Sequence, residues 1–164
     1  MNFVEKFVRF LILFWALAGG ALLFLVVFLN TFSVTGGIVG NPIPGDFELT
    51  EMGVAIAVFA FLPYCQLTNA NVTADIFTSK SSPRWIALFG LISSVVALLF
   101  SILLFWCMSQ GMIDRYNYQY TSAILLIPMW IPYVPVLFSW VLLLFAAIIS
   151  VKDFYLEINF SRAT

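Results

Sequence analysis

The sequence predicts an all-α membrane protein of four transmembrane helices, with both termini cytoplasmic and the last helix bent by proline at its outer end. Three observations predict it. Of 164 residues, 63% are hydrophobic and 9% charged, with a mean hydropathy of +1.05. A soluble domain carries about 25% charged residues, so this chain lacks the polar surface to enclose a soluble core. Four apolar runs are each long enough to cross a bilayer, for which about 20 residues suffice. The cations fall in alternate connections: Lys6 and Arg9 before the first run, Lys80 and Arg84 in the middle, Lys152 and Arg162 in the tail, against Arg115 alone on the other side. The positive-inside rule then places both termini in the cytoplasm. Residues 1–164 read as one four-helix unit.

Residues 1–9 mix Phe3, Val4, Phe7 and Val8 with Glu5, Lys6 and Arg9, a short amphipathic pattern suited to the membrane interface. A cleaved signal peptide is the competing reading, but the apolar run continues past Ala18 to Phe32, which makes a span at about 10–34. Residues 35–44, TGGIVGNPIP, hold three glycines and two prolines and predict a loop. The second span, about 49–68, follows the acids Asp46, Glu48 and Glu51 and contains Pro63, which predicts a tolerated kink. The connection to residue 84 carries Asn69, Asn71, Thr73 and Asp75 on the cytoplasmic side, where the Asn-Val-Thr sequon has no use. Asp75 reads as a boundary acid in contact with water, headgroups or a basic residue. The third span, about 85–109, places Ser93, Ala97 and Ser101 at i, i+4 and i+8, a small-residue stripe of the kind that lets helix backbones approach. Tyr116, Tyr118 and Tyr120 mark a headgroup boundary. The fourth run, about 123–151, opens on Pro128, Trp130, Pro132 and Pro135; a plain helix cannot hold that segment, which is bent or partly unwound and needs cover from protein. The tail from Lys152 is again mixed and interfacial.

The interiors of the four spans contain no Asp, Glu, Lys, Arg or His. Carriers that move protons or charged solutes alone hold an ionisable group within the membrane. With no histidine in the chain, bis-His haem and most zinc chemistry are excluded. Cys65 and Cys107 form no C-x-x-C pair, differ in depth by roughly 20 Å on this topology, and read as packing residues. A net charge of −1 leaves no electrostatic footprint for nucleic acid. No nucleophile–base pair, phosphate loop or internal repeat is present, so the chain reads as neither an enzyme nor a self-sufficient inverted-repeat transporter, and no cofactor is expected.

Three stretches together carry a family resemblance: GDFELTEM (45–52), NVTADIF (71–77) and YTSAILLIPMWIPYVPV (120–136). In this order, with four spans, the chain resembles the small membrane (DctQ-like) subunit of tripartite ATP-independent periplasmic (TRAP) transporters. It departs from the family pattern at Asn71, where a histidine is common, and at Pro44-Gly45, where an aromatic is common.

The resemblance implies a scaffold in the bacterial inner membrane, multi-pass and surrounded by lipid. It would brace a large membrane subunit that holds the substrate and sodium sites, and work with a periplasmic substrate-binding protein for organic acid anions. On that basis Ser93, Ala97, Ser101, Pro128 and Trp130 are the candidate partner interface. Asp46, Glu48 and Glu51 are the candidate periplasmic docking residues, and Asn71 and Asp75 mark the cytoplasmic family motif. An independent four-helix assembly factor, or an accessory subunit of another membrane complex, is the alternative.

Overall fold

The computed structural model describes residues 3–68 and 83–163. Four helices make up the fold: α1 (Phe3–Ile38), α2 (Asp46–Leu67), α3 (Pro83–Asn117) and α4 (Tyr133–Ala163). Each is long and apolar enough to cross a membrane. At about 1.5 Å per residue, α1 is roughly 54 Å long against a hydrocarbon core of about 30 Å, so its ends project beyond the hydrocarbon. Residues 3–9 are continuous with it, rather than a separate interfacial segment.

The glycines at 36 and 37 do not stop α1, contrary to the loop expected at 35–44. Thr31 and Thr35 turn their hydroxyls back onto the carbonyls of Val27 (2.8 Å) and Thr31 (2.9 Å), which keeps both compatible with the helix. The stop comes at Gly40, whose φ of 81° only glycine adopts freely. The Asn41 N–H then closes on the Gly36 carbonyl at 2.8 Å, and a Cβ on Gly36 would meet that Asn41 carbonyl oxygen.

α4 is the central element. Of its spanning window 44% is buried, against 17% for α1, 22% for α2 and 11% for α3, so the helices form an open row and not a closed bundle. α2 lies on one flank of α4 and α3 on the other, and α1 packs mainly on α2. Among the described residues, α2 and α3 do not pack extensively on each other.

Small residues set the α1–α2 contact. Gly19 faces Ala57 and Ala60, Val26 faces Gly53, and Asn30 donates to the Thr50 hydroxyl at 2.8 Å. The buried face of α2 is Gly53, Ala57, Ala60, Pro63 and Gln66, with the helix running unbroken through Pro63. Close backbone approach between helices of this kind supplies the dispersion that a lipid solvent, itself apolar, does not. Toward the end that carries the start of α1, the core is Ile12, Leu142 and Ala146, with Leu11, Trp15 and Leu67 packed against it. The Trp15 indole N–H donates to the Ser139 hydroxyl at 2.8 Å. Two ion pairs, Arg9–Asp153 at 2.7 Å and Glu5–Lys152, tie the start of α1 to the late part of α4, which puts those two ends on one side. Their partial exposure makes them a registry device worth about 0–1 kcal/mol each.

Against α3, α4 presents Phe154 over Gly90, where no Cβ fits. Ser94 and Ser101 are buried, Ala97 is half-buried and Ser93 is exposed. The face that approaches α4 therefore runs through positions 90, 94, 97 and 101, and Ser93 points away from it. Ala97→Leu is expected to destabilise the isolated chain by about 1–3 kcal/mol through overpacking. Ser93→Leu should leave the thermal midpoint in detergent unchanged. Equal effects of the two would mean that α3 packs in another rotation.

The fourth apolar run is divided. Residues 118–132 form a short hairpin, bridged between Thr121 and Pro128, and the helix starts only at Tyr133. The prolines act ahead of that helix or in its first turn. Pro128 sits in the bridge, Pro132 precedes α4, and Pro135 lies where a missing N–H costs nothing.

Candidate functional site: the 118–132 hairpin and its clasp

The end of the molecule opposite the Arg9–Asp153 pair gathers the start of α2, the end of α3 and the hairpin. α2 begins after Gly45, whose φ is 76° and whose missing Cβ would otherwise sit 2.4 Å from Leu125 Cγ. Only glycine meets both conditions, the left-handed backbone and the close approach of the hairpin. No side chain caps this helix start, but Asp46 and Glu48 lie in its first turn, where negative charge complements the helix dipole.

Each of these acids has a partner. One Asp46 oxygen accepts from the Phe47 N–H at 2.7 Å and the other from the Ser33 hydroxyl, which ties α2 to the end of α1. Glu48 accepts the Ile124 N–H on one carboxylate oxygen (2.7 Å) and the Leu125 N–H on the other (3.0 Å). One side chain thus satisfies two successive backbone donors at the hairpin tip, a bidentate, charge-assisted arrangement. The tip needs it. Leu126 has φ 54° and cannot continue a regular ladder, so the amides before it have no strand partner.

The rest of the hairpin closes on itself. Met129 N–H donates to the Tyr120 carbonyl (2.8 Å) and Ser122 N–H to the Ile127 carbonyl (2.9 Å). The buried Ser122 hydroxyl accepts from Ile127 N–H at 3.1 Å. Trp130 meets Tyr116 of α3 edge to face at 5.8 Å, and Arg115 lies 4.9 Å over the Tyr120 ring. Tyr116 and Tyr120, expected at a headgroup boundary, take part in the packing of the hairpin.

The structure brings together Asp46, Glu48, Pro128 and Trp130 in this one assembly, and places Glu51 just below it in a cleft between α2 and α3. Ser93, Ala97 and Ser101 lie elsewhere, along α3. Asn71 and Asp75 fall outside the described residues. Cys65 is half-buried and Cys107 exposed, both free. Among the described residues no three His, Cys, Asp or Glu side chains converge into a metal-sized group. Among the described residues, what this assembly does chemically is hold backbone.

The pairing of Glu48 with residues 124–125 is the feature that sequence reasoning misses. Its acceptors and donors are 76 and 77 residues apart, and the donors are backbone amides without a side-chain signature. The available signal was that GDFELTEM and YTSAILLIPMW stood out as separate motifs. The structure shows that they are two halves of one contact.

Residues 23–155 match the family model described as tripartite ATP-independent periplasmic transporters, DctQ component. Comparison with the curated proteins and with the solved structures gives no match.

Proposed function

We propose, because this chain belongs to the DctQ component family of tripartite ATP-independent periplasmic transporters, that it is the small scaffold subunit of a sodium-driven carrier of organic acid anions. DctQ components are parts of a transporter and work with a TRAP large membrane subunit and a binding protein. In this reading the chain spans the bacterial inner membrane with both termini in the cytoplasm. The large subunit holds the substrate and sodium sites, and the periplasmic binding protein arrives over the outer hairpin. Asp46 and Glu48 serve that surface by shaping it, since their carboxylates already hold α1 and the hairpin.

The single observation that supports a bracing role best is the open row of helices. With only 11% of the α3 span and 17% of the α1 span buried, the chain presents wide apolar flanks that a second membrane protein can cover. Span interiors free of charge fit a part that supports transport without binding its ions. The experiment is co-expression of the tagged chain with the neighbouring large permease. The permease should co-purify in detergent, and uptake should need both. A permease that transports at full rate without this chain would overturn the scaffold reading.

Topology is tested separately. Reporter fusions after Gly40 and Asn117 are expected to report the periplasm, and fusions after Ser81 and at Thr164 the cytoplasm. A cytoplasmic signal at Gly40 would reverse the orientation.

A further inference from the structure

Two counts along the helices fix the depth of the hairpin. Lys152 is the first charged residue after Arg115, and it pairs with Glu5. From there, residues 133–151 rise about 28 Å at about 1.5 Å per residue, close to the hydrocarbon thickness of about 30 Å. On α1 the same rise from Arg9 ends near Asn30, which donates to the Thr50 hydroxyl at 2.8 Å, with Ser33 bonded to Asp46 one turn further on. The hydrocarbon therefore ends near Tyr133, and residues 118–132 meet the interfacial layer beyond it, roughly 5–7 Å thick. The hairpin is built for that layer. Ile124 is 60% exposed and Leu126 66%. The N–H groups of Ser122, Ile124, Leu125, Ile127, Met129 and Ile131 all donate within the chain, and Pro128 and Pro132 have none. Backbone that touches hydrocarbon requires such internal pairing.

We propose that the hairpin is a membrane-surface anchor, its tip at Ile124 and Leu126 seated among the upper acyl chains of a zwitterionic phospholipid leaflet. Leu126 holds φ 54°, a backbone that glycine adopts freely and leucine does not. A glycine would make the same turn without strain; what leucine adds is an exposed apolar side chain. Strain of this kind persists where the surrounding structure imposes it, and here the Glu48 clasp does so from the two preceding amides. The flanks suit a headgroup. Tyr116, Tyr120 and Trp130 are of the types that collect at a bilayer boundary. Asp114 and Arg115, adjacent and exposed at the end of α3, form no ion pair with any described residue, so each charge of a zwitterionic headgroup has an opposite charge to meet. An anionic lipid would instead face Asp46, Glu48, Glu51 and Asp114 with Arg115 as the one nearby cation. A partner arriving from water would meet headgroups before it met a patch at this depth.

The test uses the full chain carrying Cys65→Ala and Cys107→Ala, in phosphatidylcholine nanodiscs, with and without its co-expressed large permease. A nitroxide is attached through Ile124→Cys or Leu126→Cys, and through Asn117→Cys as the polar reference. The ratio of oxygen to nickel-chelate collisions is expected to be several-fold higher at 124 and 126 than at 117, whether or not the permease is present. A ratio at 124 and 126 as low as that at 117 would put the tip in water. Collisions with both reagents suppressed by the permease would put it against protein. Either result overturns the inference. Leu126→Gly, read from the label at 124, should lower the ratio while protease protection of 118–132 is kept, because glycine makes the turn without strain. A ratio that Leu126→Gly leaves unchanged would also overturn the anchoring role of the tip.

Discussion

Glu48→Ala is expected to free the 118–132 hairpin from α2 and to abolish most assembly with the transport partners, with the four helices still inserted. The Ile124 and Leu125 N–H groups lose their acceptor together, and no ladder partner is available to them, because Leu126 at φ 54° breaks the strand geometry. Both donors lie at or near the surface, so the loss is that of two charge-assisted bonds holding the hairpin tip to α2, with water taking the place of the carboxylate. Glu48→Gln retains one acceptor but turns an amide NH₂ toward the second N–H, so its effect should be intermediate. Glu48→Asp shortens the reach and should behave nearer to alanine. The readout is limited proteolysis within 118–132 in detergent, alongside recovery of the large subunit. Unchanged protection in Glu48→Ala would mean that the hairpin is held by its own bridge and the Trp130–Tyr116 contact alone.

The second large effect is expected from Gly19→Leu. Gly19 approaches α2 so closely that an added Cβ would lie 2.8 Å from Ala60 Cβ and 3.3 Å from the Ala57 carbonyl oxygen. The first of these is a methyl with no rotamer to change, and the second is backbone, so α1 and α2 must separate. Separation breaks the register that sets Val26 over Gly53 and Asn30 on Thr50. The cost is about 3 kcal/mol, the upper part of the usual range for overpacking. Gly20→Ala is the control, because a Cβ there would meet only the Phe61 ring at 3.9 Å, an ordinary contact. Thermal unfolding of the purified chain should separate the two variants clearly. A Gly19→Leu protein as stable as Gly20→Ala would contradict the packing of α1 on α2.

The parts of this fold legible in the sequence are those governed by transfer into lipid. Twenty-odd apolar residues without charge cross a membrane whatever they pack against, so four spans follow from composition and periodicity. Rotation and connection are set by individual contacts, and there the sequence is ambiguous. Ser93 and Ser94 are adjacent and identical, and the position of Phe154 over Gly90 is what puts Ser94 on the α4 face. Thr35-Gly36-Gly37 carries every local sign of a loop, yet α1 runs through it to Ile38, with the Thr35 hydroxyl bonded back to carbonyls of its own helix. The proline-rich run at 128–135 shows that no plain helix forms there, but not that it folds into a hairpin. That outcome depends on a carboxylate 76 residues earlier to receive its amides. Of the three acids Asp46, Glu48 and Glu51, charge alone suggests a common role. The structure gives them three: Asp46 joins α1, Glu48 holds the hairpin, and Glu51 faces a cleft.

In the proposed role this chain braces the transporter and takes no part in ion coupling. Backbone carbonyls near Pro63 and Pro135, where proline removes an N–H from a helix, and near Pro128 and Pro132, outside the helices, are the oxygens within it best suited to a sodium ion. Two of them are already engaged: the Pro128 carbonyl accepts from Ile131 N–H at 3.1 Å, and the Pro135 carbonyl from the Ser139 hydroxyl at 2.9 Å. The direct measurement is uptake into proteoliposomes holding the complete complex, with each proline replaced by alanine in turn, as a function of external sodium. Maximal rate should fall wherever bracing is weakened, while the sodium concentration at half-saturation and the Hill slope stay at their wild-type values. A fully assembled variant with a shifted half-saturation or a lower slope would place a coupling site in this chain and contradict the account.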